Sequence, residues 1–225
     1  MARRPRLKGG KPVADRLIDA AEALIGQFGT AGVSLRQIGS AAGTVNNYAV
    51  QYHFGDMDDL IHAIFEKRMP MINDRVRARL AVLQVDDALS DTRSLVESLM
   101  RPLLDIFDED GERSFARFLS ALLRSVDGSR HFDNIYALIQ PVWQVIDHLG
   151  AANPHVPRAL MIERLRLASI MVFSSAFNRR EPFDDMALFD AYMVDDVIGM
   201  GAATISAPVQ RKLSAVLQSG QPPSP

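Results

Sequence analysis

Apolar residues recur along most of this chain at separations of three and four, the period of a helix with one buried face. Val13, Leu17, Ala20, Ala21, Leu24 and Phe28 make the first such stripe and predict a helix that stops near Gly29. Ser34 is placed to cap a second helix carrying Leu35, Ile38, Ala41 and Ala42, with Gln37 completing a capping box. Gly43 ends it. Asn46 or Asn47 starts a third, short helix whose Val50 and Phe54 face inward. A fourth is predicted over Asp58–Met69, up to Pro70. Further helices are predicted near 71–84, 91–108, 112–126, 132–150, 156–178 and 187–206. A short terminal helix near 207–218 and a flexible Pro/Ser tail over 219–225 close the pattern.

Strict period-two alternation over five or more residues is hard to find, so the expected fold class is all-α. The order of elements predicts an N-terminal three-helix head followed by a C-terminal helical bundle. Pro102 and Pro141 fall inside helical patterns, and each predicts a kink or a break. No repeat of 20–50 residues is visible, which argues against a solenoid.

Charge changes this picture more than composition does. With 48% hydrophobic and 23% charged residues the chain is globular in character, and its net charge is only −2. The distribution is uneven. Residues 1–55 carry seven Lys/Arg (Arg3, Arg4, Arg6, Lys8, Lys11, Arg16, Arg36) against three acids, and the remainder carries 18 basic and 24 acidic residues. A basic head on an acidic body points to a polyanion partner for the head. The absence of cysteine excludes a disulfide scaffold, a thiolate metal site and a cysteine nucleophile, and fits a cytoplasmic location. No apolar run is long enough to predict a membrane span, and no secretory signal pattern follows the basic start.

The segment Ser34–Phe54, SLRQIGSAAGTVNNYAVQYHF, is a helix, a glycine-containing turn and a second helix: the helix-turn-helix arrangement. Its small residues Ala41, Ala42 and Gly43 suit a close helix crossing. Leu35, Ile38, Val50 and Phe54 supply the buried side. Tyr48, Gln51 and Tyr52 share an outward face at i, i+3, i+4, and Asn46 and Asn47 project from its N-terminal end. Such a face is the part that enters the major groove, where Asn and Gln can pair with adenine.

These residues resemble the TetR family of bacterial transcriptional regulators. The resemblance spans roughly residues 13–65 and is carried by Val33-Ser34-Leu35-Arg36-Gln37-Ile38 and Val50-Gln51-Tyr52-His53-Phe54-Gly55. It implies that Tyr52 and His53 hold DNA phosphates, that Phe54 is a buried anchor, that Arg36 reaches a phosphate and that Thr44 makes a backbone contact. Asn46, Asn47, Tyr48 and Gln51 are then the candidates for base edges. The chain departs from the family pattern where a Lys is common: Asn47 and Met57 stand there, beside Asp56, Asp58 and Asp59. Those acids repel phosphate, so affinity is expected to lean on the basic arm, Arg3 to Lys11. The DNA-binding domain is placed at 1–55 and the effector-binding and dimerisation domain at 56–218.

The resemblance further implies a homodimer on a palindromic operator of double-stranded DNA, a repressor role, and release by a small apolar effector. Leu103, Phe107, Phe118, Trp143, Met171 and Phe177 are the candidate pocket lining. The dimer face is expected on the helices near 156–178 and 187–206, through Leu165, Ala168, Met171 and Val172 and through Gly199, Gly201, Ala202 and Ala203. No cofactor, metal or catalytic set is expected. Gly199-Met200-Gly201 lacks the strand and third glycine of a dinucleotide site. The alternative is a helical magnesium-dependent enzyme using Asp105, Asp108 and Asp110.

Overall fold

The computed structural model describes residues 11–46, 48–125, 131–132, 135–175 and 186–210. The basic arm before Lys11, Asn47, Phe177 and the tail lie outside the described residues, as does most of the helix expected near 207–218. Among the described residues the fold is entirely helical, as the periodicity predicts. The helices are α1 (Val13–Phe28), α2 (Leu35–Ala41), α3 (Ala49–Phe54), α4 (Met57–Val85), α5 (Thr92–Leu104), α6 (Ser114–Arg124), α7 (Gln140–Ala152), α8 (Arg158–Ser175) and α9 (Met186–Ser206). Short 3-10 turns occupy Thr30–Gly32 and Tyr136–Ile139.

Pro70 does not end the fourth helix. α4 runs through it to Val85, because the apolar stripe Phe65, Met69, Ile72, Val76 and Leu80 is buried on both sides of the proline. Burying that stripe outweighs the one backbone hydrogen bond that Pro70 cannot donate. Pro141 behaves differently. It stands in the first turn of α7, where the missing N–H has no partner to lose, so the helix expected from 132 divides there. Pro102 is buried within α5, which stops at Leu104 rather than near 108. The Asp108 carboxylate accepts the N–H groups of Asp110 and Glu112 at 3.0 and 2.8 Å, so side chain and backbone build a turn instead. Gly111 supplies the left-handed backbone that turn needs.

One continuous core runs from the head into the body. α1 lies along α6, and α2 and α3 pack on α1. At the far end α9 packs on α8 and α5. A Cβ on Gly201 would meet Ala168, Val172 and Val96 at 3.5, 3.7 and 3.8 Å, so the small residues let α9 close on its own chain. This corrects the expected dimer face. Leu165, Ala168, Val172, Gly201 and Ala202 are buried within one chain, and an arginine at 202 would disrupt the fold rather than split a dimer. The outward stripe of α9 is Tyr192, Asp196, Met200 and Ala203, and of the expected small residues Ala203 alone lies on it. Arg93 and Arg101 of α5 tie α9 down through Asp195, at 2.8 and 3.2 Å.

The methyl-sized space beside Gly201 is a testable feature. Gly201→Ala keeps ordinary contacts and gains helix propensity, so stability should rise by up to about 1 kcal/mol, or roughly 2–4 °C in thermal midpoint. A falling midpoint would show that the α9 seam is tighter than described.

Candidate nucleic-acid interface

The capping box that starts α2 is present. Ser34 Oγ accepts the Gln37 N–H at 3.3 Å, and Gln37 Oε1 accepts the Ser34 N–H at 2.8 Å. The turn that follows is pinned by Thr44. Its backbone N–H and its hydroxyl both donate to the Gly39 carbonyl, at 3.0 and 2.9 Å, and the hydroxyl also reaches the Asn46 carbonyl at 3.3 Å. A Cβ on Gly39 would stand 3.2 Å from that hydroxyl, which is why a glycine sits inside α2. Gly43 takes the left-handed conformation that ends the helix.

α3 starts at Ala49, later than Asn46 or Asn47, and spans six residues. Asn46 precedes it as an anchor: its Oδ1 accepts the Tyr48 N–H at 2.9 Å. Val50 is buried and Phe54 is half-buried against the core. The expected outward face is outward: Tyr48, Gln51, Tyr52 and His53 are all exposed, Tyr52 at 83%. The Tyr52 and His53 rings meet edge to face, with centroids 5.1 Å apart. Arg36 and Asn46 are exposed on the same motif. Sequence reasoning missed Val45, which stands fully exposed at the turn's tip. Its signal is available in the sequence: an apolar residue between a turn-closing Thr and a capping Asn has no core to join. Asp56 caps α4 by accepting the Asp59 N–H at 2.9 Å, so one of the acids near the motif is occupied by the fold.

The head is seated on the body by buried charge. Glu22, on α1, has no exposed surface. Arg68 of α4 grips it with two hydrogen bonds, Nε to Oε2 at 2.7 Å and Nη2 to Oε1 at 3.0 Å, and the Ser114 hydroxyl at the start of α6 donates to Oε1. Burial alone pushes the Arg68 guanidinium down, but the hydrogen bonds and charge of Glu22 outweigh it and hold the group above its ordinary value. Beside this triad, Asp19 accepts from Lys11 at 2.7 Å and from Lys67 at 2.6 Å. Burial raises its pKa, but the hydrogen bonds and charges of these two lysines outweigh that and leave Asp19 below the usual carboxylate range. Lys11 also reaches Glu109 at 2.8 Å. None of this network is predicted by the sequence pattern. A lone Glu in an apolar stripe is its only trace there.

The candidate pocket residues do not form one lining. Phe118 is fully buried in an aromatic cluster with Phe65 and Phe115. Phe107 is half-exposed, with the Arg113 guanidinium 5.0 Å over its ring. It edges a cleft of about 780 Å3 between α1, α4 and the α5–α6 loop. That cleft is lined largely by charge, including Asp15, Asp19, Lys67, Glu109 and Asp110, and does not suit an apolar molecule. Leu103, Trp143 and Met171 stand one on each of α5, α7 and α8, three helices that pack together. Asp105, Asp108 and Asp110 share the α5–α6 loop and its helix end rather than facing one another from two helices. Among the described residues no three His, Cys, Asp or Glu side chains are placed to hold a metal ion, and no helix is long and apolar enough to cross a membrane.

The grip on Glu22 gives a measurable expectation. Arg68→Met leaves a buried carboxylate with only the serine, and should cost about 3 kcal/mol, seen as a lower urea midpoint at unchanged slope. Glu22→Leu added to Arg68→Met should recover much of that loss.

Residues 17–64 match the family model of the bacterial regulatory proteins of the tetR family. No curated protein matches the sequence. Two solved structures share the fold. A transcriptional regulator from Rhodococcus sp. Rha1 is 19% identical, with 85% of this chain and 95% of that one covered at a TM-score of 0.51. A TetR family transcriptional regulator, PfmR, from Thermus thermophilus is 14% identical, with 90% and 100% covered at a TM-score of 0.51.

Proposed function

We propose that this chain, which belongs to the TetR family of bacterial regulatory proteins, is a homodimeric repressor that releases a palindromic operator when a small effector binds its body. The observation that supports it best is the surface of the helix-turn-helix. Val45, Tyr48, Gln51, Tyr52 and His53 are exposed together on a short helix and turn that Thr44, Asn46 and the core hold in place. Side chains able to hydrogen-bond bases and phosphates are thus held out on a rigid mount.

On this reading residues 1–55 face DNA and 56–218 form the effector-binding and dimerisation part. Gln51, Asn46, Asn47 and Tyr48 read base edges, and Val45 meets a thymine methyl. Tyr52, His53 and Arg36 hold phosphates, and the arm supplies further charge. Thr44 acts through the turn that it closes. Leu103, Trp143 and Met171 mark the effector site, on three mutually packed helices. The effector works by population shift, favouring a body arrangement in which the two heads no longer match successive major grooves.

Two measurements test this. Gln51→Ala should relax sequence preference, costing about 1–3 kcal/mol on the selected site and little on random duplex. Tyr52→Phe should weaken binding to all duplexes alike. Equal losses from both on every sequence would refute the division between base and phosphate contacts.

Dimerisation is assigned to what α8 and α9 leave uncovered: Ile162, Leu167, Tyr192 and Met200 are exposed. Met200→Arg should sediment as a folded monomer that has lost the palindrome. A dimer undisturbed by this change would move the interface off α9.

A further inference from the structure

We infer that the outer ridge of α4 is a second self-association surface, on which another copy of this chain lies antiparallel about a two-fold axis at Val82. This surface is separate from the dimer face assigned to α8 and α9. α5 packs on α4 and also on α9, so it stands between the two faces and both can be used at once.

α4 is apolar on two sides. Phe65, Met69, Ile72, Val76 and Leu80 form its buried inner stripe. On the opposite side Met71, Arg75, Ala78, Val82 and Val85 recur at separations of four and three, the seam spacing of helices that pair along their length. All five are exposed, Val82 at 58% and Val85 at 85%. A shallow groove runs along each flank of this ridge, about 390 Å3 against α5 and about 380 Å3 against α7. A ridge between grooves is the relief that packs on a helix of the same relief.

Charge identifies the occupant. Arg75, Arg77 and Arg79 precede Val82, and Asp86 and Asp87 follow it. The two aspartates stand where local physics disfavours them. They lie at the C-terminal end of α4, the negative end of the helix dipole. Asp87 also takes left-handed backbone, with φ 55°, just past the cap where glycine is the usual residue. Among the described residues no ion pair holds either carboxylate. Laid antiparallel about Val82, a second α4 brings its Arg77 and Arg79 over Asp86 and Asp87, and the two-fold axis makes this contact twice. Val82 then meets Val82 of the second copy, and Val85 covers its Ala78. A parallel pairing would set like charges against one another. The helical overlap from Ala78 to Val85 is only about 12 Å long, so the contact is smaller than a standard interface and weak by itself. It strengthens wherever two dimers are already held side by side, because the contact is then intramolecular.

The chain has no cysteine, so Val82→Cys places a lone thiol on the axis. At about 100 µM under mild oxidation it should cross-link to a second copy, since axial partners lie within the roughly 7 Å that a disulfide spans. Gln84→Cys, exposed on the α7 flank, should cross-link about tenfold more slowly, its thiols being too far apart. In sedimentation, wild type should form larger species at about 100 µM than at about 1 µM. Arg77→Glu with Arg79→Glu should abolish them, as should Asp86→Lys with Asp87→Asn, with helix content unchanged in both. An equimolar mixture of these two variants should restore the larger species, because each ridge then meets its complement. Met200→Arg should remove the dimer at about 1 µM and keep the Val82→Cys cross-link at about 100 µM. Equal cross-linking at 82 and 84, or a mixture that associates no better than its parts, would overturn the inference. So would a Val82→Cys thiol that cross-links only once residues 211–225 are deleted, which would give the ridge to the chain's own tail. A cross-link lost with Met200→Arg would overturn the ridge as a separate surface. A dimer that survives Met200→Arg beside an intact cross-link at 82 would move the dimer face off α9 and uphold the ridge.

Discussion

A carboxylate with no exposed surface is costly unless it is paired and hydrogen-bonded, and Glu22 is such a group. Its partners come from two distant places in the chain: Arg68 from α4 and Ser114 from α6. The arrangement therefore selects one docking of the head among the many that apolar packing alone would tolerate. Neighbouring charges extend the same logic outward. Asp19 holds Lys67 and Lys11, so Lys11 is fixed just ahead of α1.

The body uses a similar device at its other end. α9 packs on α8 with room for a methyl at Gly201, while Arg93 and Arg101 tie Asp195 to α5. In both places a charge pair sets the position of one helix along its seam. Apolar contact supplies most of the free energy, but it is non-directional. The polar contacts add register. Among the apolar side chains that stay exposed after both seams close are Val45 and the tyrosines on the head, and Ile162, Leu167, Tyr192 and Met200 on α8 and α9.

The helices and the helix-turn-helix are legible because their signals are local. Capping boxes, glycine stops and apolar stripes act within one or two turns, and Ser34, Gln37 and Gly43 do what their types dictate. Expectation and structure part where a distant partner decides the outcome. Pro70 has a local cost that predicts a stop, while burial on both sides of it keeps α4 whole. Gly201 and Ala202 suggest an outward face because a stripe of small residues is the same whether its partner is another chain or α8. Phe107 and Phe118 look alike in the sequence, yet one stacks under Arg113 and the other fills the core. Glu22 reads as one more charge in the head, since nothing near it in the sequence foretells Arg68 or Ser114.

The recognition helix is the least self-sufficient part of the molecule. A helix of six residues is far below the length at which an isolated helix is stable in water. It exists because Thr44 and Asn46 fix its start and because Val50 and Phe54 reach the core of α1 and α4. α1 in turn owes its place to the Glu22 seat. The surface that is to read DNA thus hangs from a chain of dependencies that ends in the body, at the first turn of α6.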